Sequence, residues 1–251
     1  MGGVSRRMEE NIAVIIVESR GRLNAFTRAM RDHIGRMLGE IENDPRCAGA
    51  VVTGAGDAFC AGQDLNEVTG WDAATPWVEE FESFARALLS FRKPLVAAVN
   101  GVAAGGGFQM ALLCDSRIGH PGVRMGQPEV QRGLASVTGT WLLRRSVGDL
   151  RAREIVLTGR LMDAEELMRL GILDAVVPGE KVVVEALQKC RVLASRPADS
   201  FARTKTWLYE SLSEEMRSVF REASRLHRLG FAAGVSQAGA ADFLRSTGNA
   251  H

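Results

Sequence analysis

The sequence has few cysteines, and none of them is spaced for a metal site or a disulfide framework. Its 251 residues include only four, Cys47, Cys60, Cys114 and Cys190. They are far apart, and no Cys-x-x-Cys or Cys/His ligand spacing occurs, so a zinc site is not expected. Free, buried thiols in a reducing compartment are the better interpretation.

Long hydrophobic runs and an excess of one charge are also missing. The N-terminal segment holds a single apolar run of five residues, Ala13–Val17, which is too short for a signal-peptide core or a membrane span. The formal net charge is +1 at pH 7, which favours neither nucleic acid nor an anionic membrane as a partner. We therefore expect a cytoplasmic protein.

The hydrophobic pattern predicts an α/β core followed by a helical region. Short β-branched runs predict strands, three- and four-residue apolar steps predict helices, and from about residue 180 the pattern is helical almost to the end. We place the core at residues 1–195 and the helical C-terminal region at residues 196–251. Strands are predicted at Ala13–Val17, 49–56, Leu95–Val99 and Asp174–Val177, and helices at Thr27–Ile41, around 77–89, and around 137–147, 149–158 and 163–170.

Three consecutive glycines in "GVAAGGGFQM" (101–110) follow the apolar run "PLVAAVN" (94–100). A phosphate loop is disfavoured because no Lys-Ser/Thr pair follows the glycines. A dinucleotide site is disfavoured because Phe59 stands where the third glycine of "TGAGDAF" (53–59) would fall. A serine-hydrolase turn around Ser136 lacks its second glycine. Two interpretations stay open: backbone N–H groups that hold an oxyanion, or a tight packing contact between strand and helix.

Five segments resemble the crotonase family, also called the enoyl-CoA hydratase/isomerase family. They are "RGRLNAF" (20–26), "AFCAGQDLNEV" (58–68), "KPLVAAVNGVAAGGGFQMALLCD" (93–115), "GQPEVQRGL" (126–134) and "GDLRAREIVLTGRLMDAEELMRLGILDAVVP" (148–178). They follow one another in the family's order over roughly residues 10–210. The resemblance implies a spiral of ββα units and an α-helical C-terminal region that forms homotrimers, often hexamers.

The resemblance also implies an acyl-CoA thioester as substrate, with coenzyme A part of that substrate and no separate cofactor or metal. It implies that the backbone N–H groups of Gln63 and Gly106 hold the thioester oxygen as an enolate forms. We expect the Gln63 side chain to trim the pocket or to bond the acyl group. The remaining residues expected to bind substrate or coenzyme A are Asn24, Ala25, Ala61, Gly62, Asp64, Leu65, Gly105 and Trp141, although core packing is the favoured role of Trp141.

Two positions decide which reaction the resemblance implies. Hydratases of the family use two glutamates; Glu129 occupies the second position, but Gln109 occupies the first. An amide does not titrate in the useful range, so Gln109 cannot act as a base. An apolar pocket would raise the pKa of Glu129 toward neutrality.

One carboxylate opposite an oxyanion site can carry a proton from C2 to C4 of an enoyl chain. The sequence therefore favours double-bond isomerisation with Glu129 as single acid and base. Addition of water to a 2-enoyl thioester, another enolate reaction and a non-catalytic acyl-CoA-binding member are the alternatives.

Overall fold

The computed structural model describes residues 2–19 and 21–248. Residues 1, 20 and 249–251, which include the start of the "RGRLNAF" segment and the end of the predicted helical region, lie outside the described residues. The strands are β1 (Gly3–Glu9), β2 (Ile12–Glu18), β3 (Gly49–Gly54), β4 (Ala58–Cys60), β5 (Leu95–Ala98), β6 (Val102–Ala104), β7 (Ser116–Gly119), β8 (Arg124–Gly126), β9 (Leu161–Asp163) and β10 (Ala175–Val176).

Helices occupy most of the remaining described chain. The α-helices are α1 (Arg28–Asn43), α2 (Leu65–Val68), α3 (Trp77–Ser90), α4 (Gly106–Leu112), α5 (Val137–Val147), α6 (Asp149–Thr158), α7 (Ala164–Arg169), α8 (Val182–Ala194), α9 (Ala198–Glu210), α10 (Ser213–Ala232) and α11 (Val235–Gly248). Two 3₁₀ helices span Pro128–Arg132 and Gly179–Lys181. Across the described ranges, no helix combines the length and apolar character that crossing a bilayer requires.

The strands form two sheets, and the chain alternates between them. One sheet has the order β1-β2-β3-β5-β7-β10 and the other β4-β6-β8-β9. The pairs β3/β4, β5/β6 and β7/β8 each give one strand to each sheet and are each followed by helical segments. This arrangement is the predicted spiral of ββα units, and the parallel pairing from β2 through β10 follows from it.

The predicted strands and helices are confirmed, but the pattern missed β1, β4, β6, β7, β8 and β9. Five of these strands are only three or four residues long, which is too short for alternation to appear. The sixth, β1, pairs antiparallel with β2 and buries a single side chain, Val4. β6 matters most for function, because it stands between the predicted strand at 95–99 and the glycine triplet.

The core lies on both faces of the six-stranded sheet. Helix α8 covers one face with Val182, Ala186 and Leu187. Helices α1 and α3 belong to the larger cluster on the other face, and Thr27 caps α1 by accepting from the Met30 N–H at 3.3 Å. All four cysteines are free and buried, as predicted.

A buried ion pair fixes α9 against the core. The Lys205 ammonium donates to Asp115 Oδ2 at 2.6 Å and to the Lys93 carbonyl at 2.9 Å. The same carboxylate accepts from the Leu95 N–H at 2.7 Å and from the Tyr209 hydroxyl at 3.1 Å. Asp115 therefore joins the start of β5 to the C-terminal helices.

Replacing Lys205 by Met should lower the free energy of unfolding by about 3 kcal/mol, because Asp115 would keep a buried charge without its partner. Urea unfolding measures this change. The exposed Lys181→Met is the matched control, for which we expect less than about 0.5 kcal/mol. Equal effects of the two substitutions would contradict a structural role for the pair.

Candidate active site

A cleft opens where the second sheet meets α3, α10 and the 3₁₀ helix Pro128–Arg132. Its empty space is about 660 Å³, including open solvent at its mouth. Most of the residues predicted for chemistry line it: Ala61, Gln63, Leu65, Gly105, Gly106, Gln109 and Glu129. The two sequence motifs and Glu129 thus meet in one place.

The glycine triplet brings bare backbone to the cleft and also makes the tight packing contact that the sequence left open. Gly105 has φ +53°, and a Cβ there would lie 3.3 Å from Glu129 Oε1, so the carboxylate faces a backbone without a side chain. Gly107 is a packing contact, since a Cβ there would lie 2.0 Å from the Cys60 carbonyl oxygen. Any larger residue at position 107 would push the start of α4 away from the end of β4.

Two backbone N–H groups at the cleft are left free by the local hydrogen bonding. Gly106 is the first residue of α4, so its N–H has no acceptor within the helix. In the bridge between Phe26 and Gln63, the Phe26 N–H donates to the Gly62 carbonyl at 2.9 Å and the Asp64 N–H donates to the Phe26 carbonyl at 3.1 Å. The Gln63 N–H takes no part in this bridge. Within the described chain, neither free N–H donates to another protein group.

The two loops that carry these N–H groups touch each other. A Cβ on Gly62 would lie 3.0 Å from the Gly106 nitrogen and 2.6 Å from the Ala104 carbonyl oxygen. The close contact brings the Gln63 and Gly106 segments to the same wall of the cleft.

The Gln63 side chain is already engaged by protein groups. Its Oε1 accepts from Arg31 Nη1, and its Nε2 donates to Glu67 Oε2 at 2.7 Å. Arg31 is itself 1% exposed and lies over the Phe26 ring at 5.5 Å. The amide thus bonds to residues of α1 and α2, which does not support the expectation that it bonds an acyl group.

Gln109 is buried and bonded to the predicted base. Thr138 Oγ1 donates to Gln109 Oε1 at 2.8 Å, which turns the amide nitrogen toward Glu129. That nitrogen lies 3.3 Å from Glu129 Oε1, at the weak end of hydrogen-bond distances. The side chain at the first hydratase position therefore supports Glu129 and carries no titratable proton.

Sequence reasoning missed a second glutamine beside Glu129. Gln127 is fully buried, and its amide nitrogen, when turned toward Glu129, donates to the two carboxylate oxygens at 2.6 and 2.9 Å. The opposite orientation would set its oxygen against the carboxylate oxygens. A Cβ on Gly139 would lie 2.3 Å from this amide, so the glycine in α5 makes the room that Gln127 occupies.

Burial raises the pKa of Glu129 from 4.5 to about 7. Its own backbone N–H, the Gln109 amide, the charge of Arg132 and the nearby Ser136 hydroxyl all favour the carboxylate and limit the rise. The result matches the expectation of a carboxyl group that can both take and return a proton near neutral pH.

Five predicted substrate-binding residues lie outside the cleft wall. The Asn24 side chain is buried and accepts from the Ser19 N–H at 3.0 Å while donating to the Ala58 carbonyl at 2.7 Å, so it braces a loop. Asp64 is buried and caps α2. Ala25 and Gly62 are buried in the same loops, and Trp141 belongs to the main hydrophobic core, which supports the core alternative for it.

The cleft also contains residues that no motif indicated. Trp77 and Phe81, which lie in the predicted helix around 77–89, line it together with Arg132, Leu134, Ser136, Thr138 and His227. His227 packs edge-to-face on Trp77 with ring centroids 4.5 Å apart. Burial lowers the pKa of His227 to about 4, so its imidazole is neutral at pH 7. These residues come from distant segments, and only the fold brings them together.

Comparison with known proteins places the chain among acyl-CoA enzymes. Residues 7–247 match the family model described as enoyl-CoA hydratase/isomerase. A Rhizobium meliloti protein described as "Probable enoyl-CoA hydratase" is 31% identical, over 92% of this chain and 94% of its own. The mitochondrial enoyl-CoA hydratase of Pongo abelii is 31% identical, over 87% and 79%.

A solved structure supports the fold assignment. An enoyl-CoA hydratase/isomerase from Mycobacterium paratuberculosis superposes with a TM-score of 0.87 at 24% identity, covering 95% of this chain and 97% of that one. The similarity extends through the ββα spiral and the C-terminal helices.

The raised pKa of Glu129 should appear in the pH dependence of stability. Between pH 4.5 and about 7 the folded state keeps a proton that the unfolded state has lost, so the free energy of unfolding falls as pH rises through that window. From about pH 4 to about pH 8, the free energy of unfolding of the wild type should fall by about 3 kcal/mol more than that of Glu129→Gln, because the glutamine cannot titrate.

Urea unfolding at several pH values measures both curves. Other titrating groups are common to the two proteins and cancel in the difference. Parallel curves for wild type and Glu129→Gln would show that Glu129 titrates like an exposed glutamate.

Proposed function

The chain belongs to the enoyl-CoA hydratase/isomerase family, and from that premise we propose that it adds water across the double bond of a 2-enoyl thioester of coenzyme A. The observation that carries the proposal is one partly buried carboxyl group, Glu129, with a pKa of about 7, in the same cleft as two free backbone N–H groups. That pairing provides a proton carrier and an oxyanion site for an enolate.

In the proposed reaction the thioester oxygen accepts hydrogen bonds from the Gln63 and Gly106 N–H groups. Glu129 takes a proton from water as the water oxygen bonds to C3, and the electrons of the double bond move onto the thioester oxygen. The enolate then takes the same proton from Glu129 at C2. One water is added, and Glu129 returns to its starting state.

The main difference from a hydratase that uses two glutamates is Gln109, which stands at the position of the first glutamate. Because its amide is bonded to Thr138 and directed at Glu129, we assign it the role of holding the carboxyl group and polar reactants in place. Glu129 then performs both proton transfers. The relatives at about 30% identity are named as hydratases, which supports hydration better than the isomerisation that the sequence favoured.

Isomerisation is the second candidate, and the single carboxylate favours it. The same Glu129 could remove a proton from C2 of a 3-enoyl thioester and return it at C4. The two reactions use the same oxyanion site and differ in whether a water molecule enters the cleft.

We also propose that the chain assembles as a homotrimer or hexamer. Large apolar side chains are exposed on α6 and α9: Leu150 and Leu157 are 78% and 70% exposed, and Trp207 is 68% exposed. Exposed groups of this size fit contact surfaces between copies. Light scattering should give a mass that is a multiple of three chains, and a monomer would contradict the proposal.

Glu129→Gln should reduce the rate of hydration by at least about 100-fold, because the proton carrier is lost. The assay follows the loss of ultraviolet absorbance of a conjugated 2-enoyl thioester and identifies the hydroxyacyl product. The exposed Glu180→Gln is the matched control and should keep full activity.

A companion assay supplies a 3-enoyl thioester and follows the appearance of the conjugated 2-enoyl product. Formation of the conjugated product without any hydration would make isomerisation the first candidate and hydration the second. Activity in Glu129→Gln equal to that of the wild type would exclude Glu129 as the proton carrier in either reaction.

Gln127→Leu should move the pH dependence of kcat/KM. The wild-type value should rise with a midpoint near the pKa of Glu129, about 7, because the carboxylate is the reactive form. Without the Gln127 donor the carboxylate is less favoured, so the midpoint should rise by about one pH unit. The exposed Gln188→Leu is the control. A lower rate at an unchanged midpoint would show that Gln127 only supports the fold.

A further inference from the structure

The cleft holds more hydrogen-bonding groups than an enolate reaction needs. Two buried donors of lining residues, Arg132 Nε and Trp77 Nε1, have no hydrogen-bond partner within the described chain. Buried polar atoms in native proteins are almost always paired with protein groups or water, so these two donors are free to bond a polar group that enters the cleft.

Arg132 is the distinctive member of this group. Among the residues that line the cleft it is the one cation, and Glu129 is the one anion. Its guanidinium lies over the Phe243 ring, 3.5 Å from the centroid, and no carboxylate of the described chain forms an ion pair with it. Stacking fixes the plane of the guanidinium but does not neutralise its charge.

The position of Arg132 relative to Glu129 limits what it can bind. Both belong to the 3₁₀ helix Pro128–Arg132, in which side chains three residues apart share a face. Three residues of such a helix advance about 6 Å. Arg132 thus lies one helical turn from Glu129 and lines the same cleft.

We propose that the acyl group of the substrate is short and ends in a carboxylate, which Arg132 binds with help from the neighbouring indole N–H and hydroxyl groups. This inference rests on the proposed function and names the substrate class for the same site.

An unsubstituted alkyl chain fits this cleft poorly. It would exclude water from the guanidinium, the indole and the Ser136 hydroxyl without replacing the lost hydrogen bonds. A site built for polar contacts discriminates strongly against an analogue that lacks them. The neutral His227 adds no charge that could compete with Arg132 for the carboxylate.

The test compares two thioesters on the intact enzyme: 2-butenoyl-CoA and 4-carboxy-2-butenoyl-CoA, which differ by the terminal carboxylate. We expect kcat/KM to be about 100-fold higher for the carboxylated substrate. Arg132→Leu should remove most of this ratio, Arg132→Lys should keep part of it, and Trp77→Phe should reduce it less. Arg203→Leu, which removes an exposed arginine, should leave the ratio unchanged.

The ratio separates this inference from other roles of Arg132. If Arg132 serves only to tune Glu129 or to hold the phosphates of coenzyme A, Arg132→Leu will slow both substrates equally, and the inference is overturned. Turnover of 2-butenoyl-CoA at least equal to that of its carboxylated analogue also overturns it, while the proposed function stands. Failure of the wild type to bind or convert either thioester overturns both.

Discussion

The whole site depends on close backbone contact between two segments: the end of β4 with the residues that follow it, and the end of β6 with the start of α4. The Gly107 Cα faces the Cys60 carbonyl, and Gly62 faces the Ala104 carbonyl, at distances that leave no room for a Cβ. Parallel pairing of β4 and β6 holds the two segments together. Because the segments touch through bare backbone, the Gln63 and Gly106 N–H groups reach the same cleft wall. The glycines are therefore required by geometry before any chemistry is considered.

The second constraint is the environment that tunes Glu129. Burial raises the pKa of this carboxyl group, and the Gln109 amide is among the groups that limit the rise. The Gln127 amide, turned toward Glu129, donates to the same carboxylate. Helix α5 controls both amides: Thr138 orients one, and Gly139 makes room for the other. The packing of one helix thus positions two amides beside Glu129.

The sequence predicts the parts of the site that are local in the chain. Both glycine segments and Glu129 lie in short motifs, so the sequence alone selects them as site candidates, and the structure brings them to one cleft. Arg132, Trp77 and His227 could not be assigned in this way, because three separate elements bring them together and each also fits an ordinary core or surface position. Arg31 shows the same limit: its charge indicates an exposed helix face, yet it is buried against Gln63. Strand β6 was missed because three residues cannot display a period.

The central claim is that two backbone N–H groups and Glu129 together form and protonate an enolate at C2. Exchange of the C2 protons of saturated butanoyl-CoA for deuterium in D₂O, followed by mass spectrometry, tests this claim most directly. It requires neither water addition nor a double bond, so it does not depend on which reaction the enzyme completes. We expect exchange with the wild type and none above background with Glu129→Gln. Saturating binding of the thioester without any exchange by the wild type would contradict the claim.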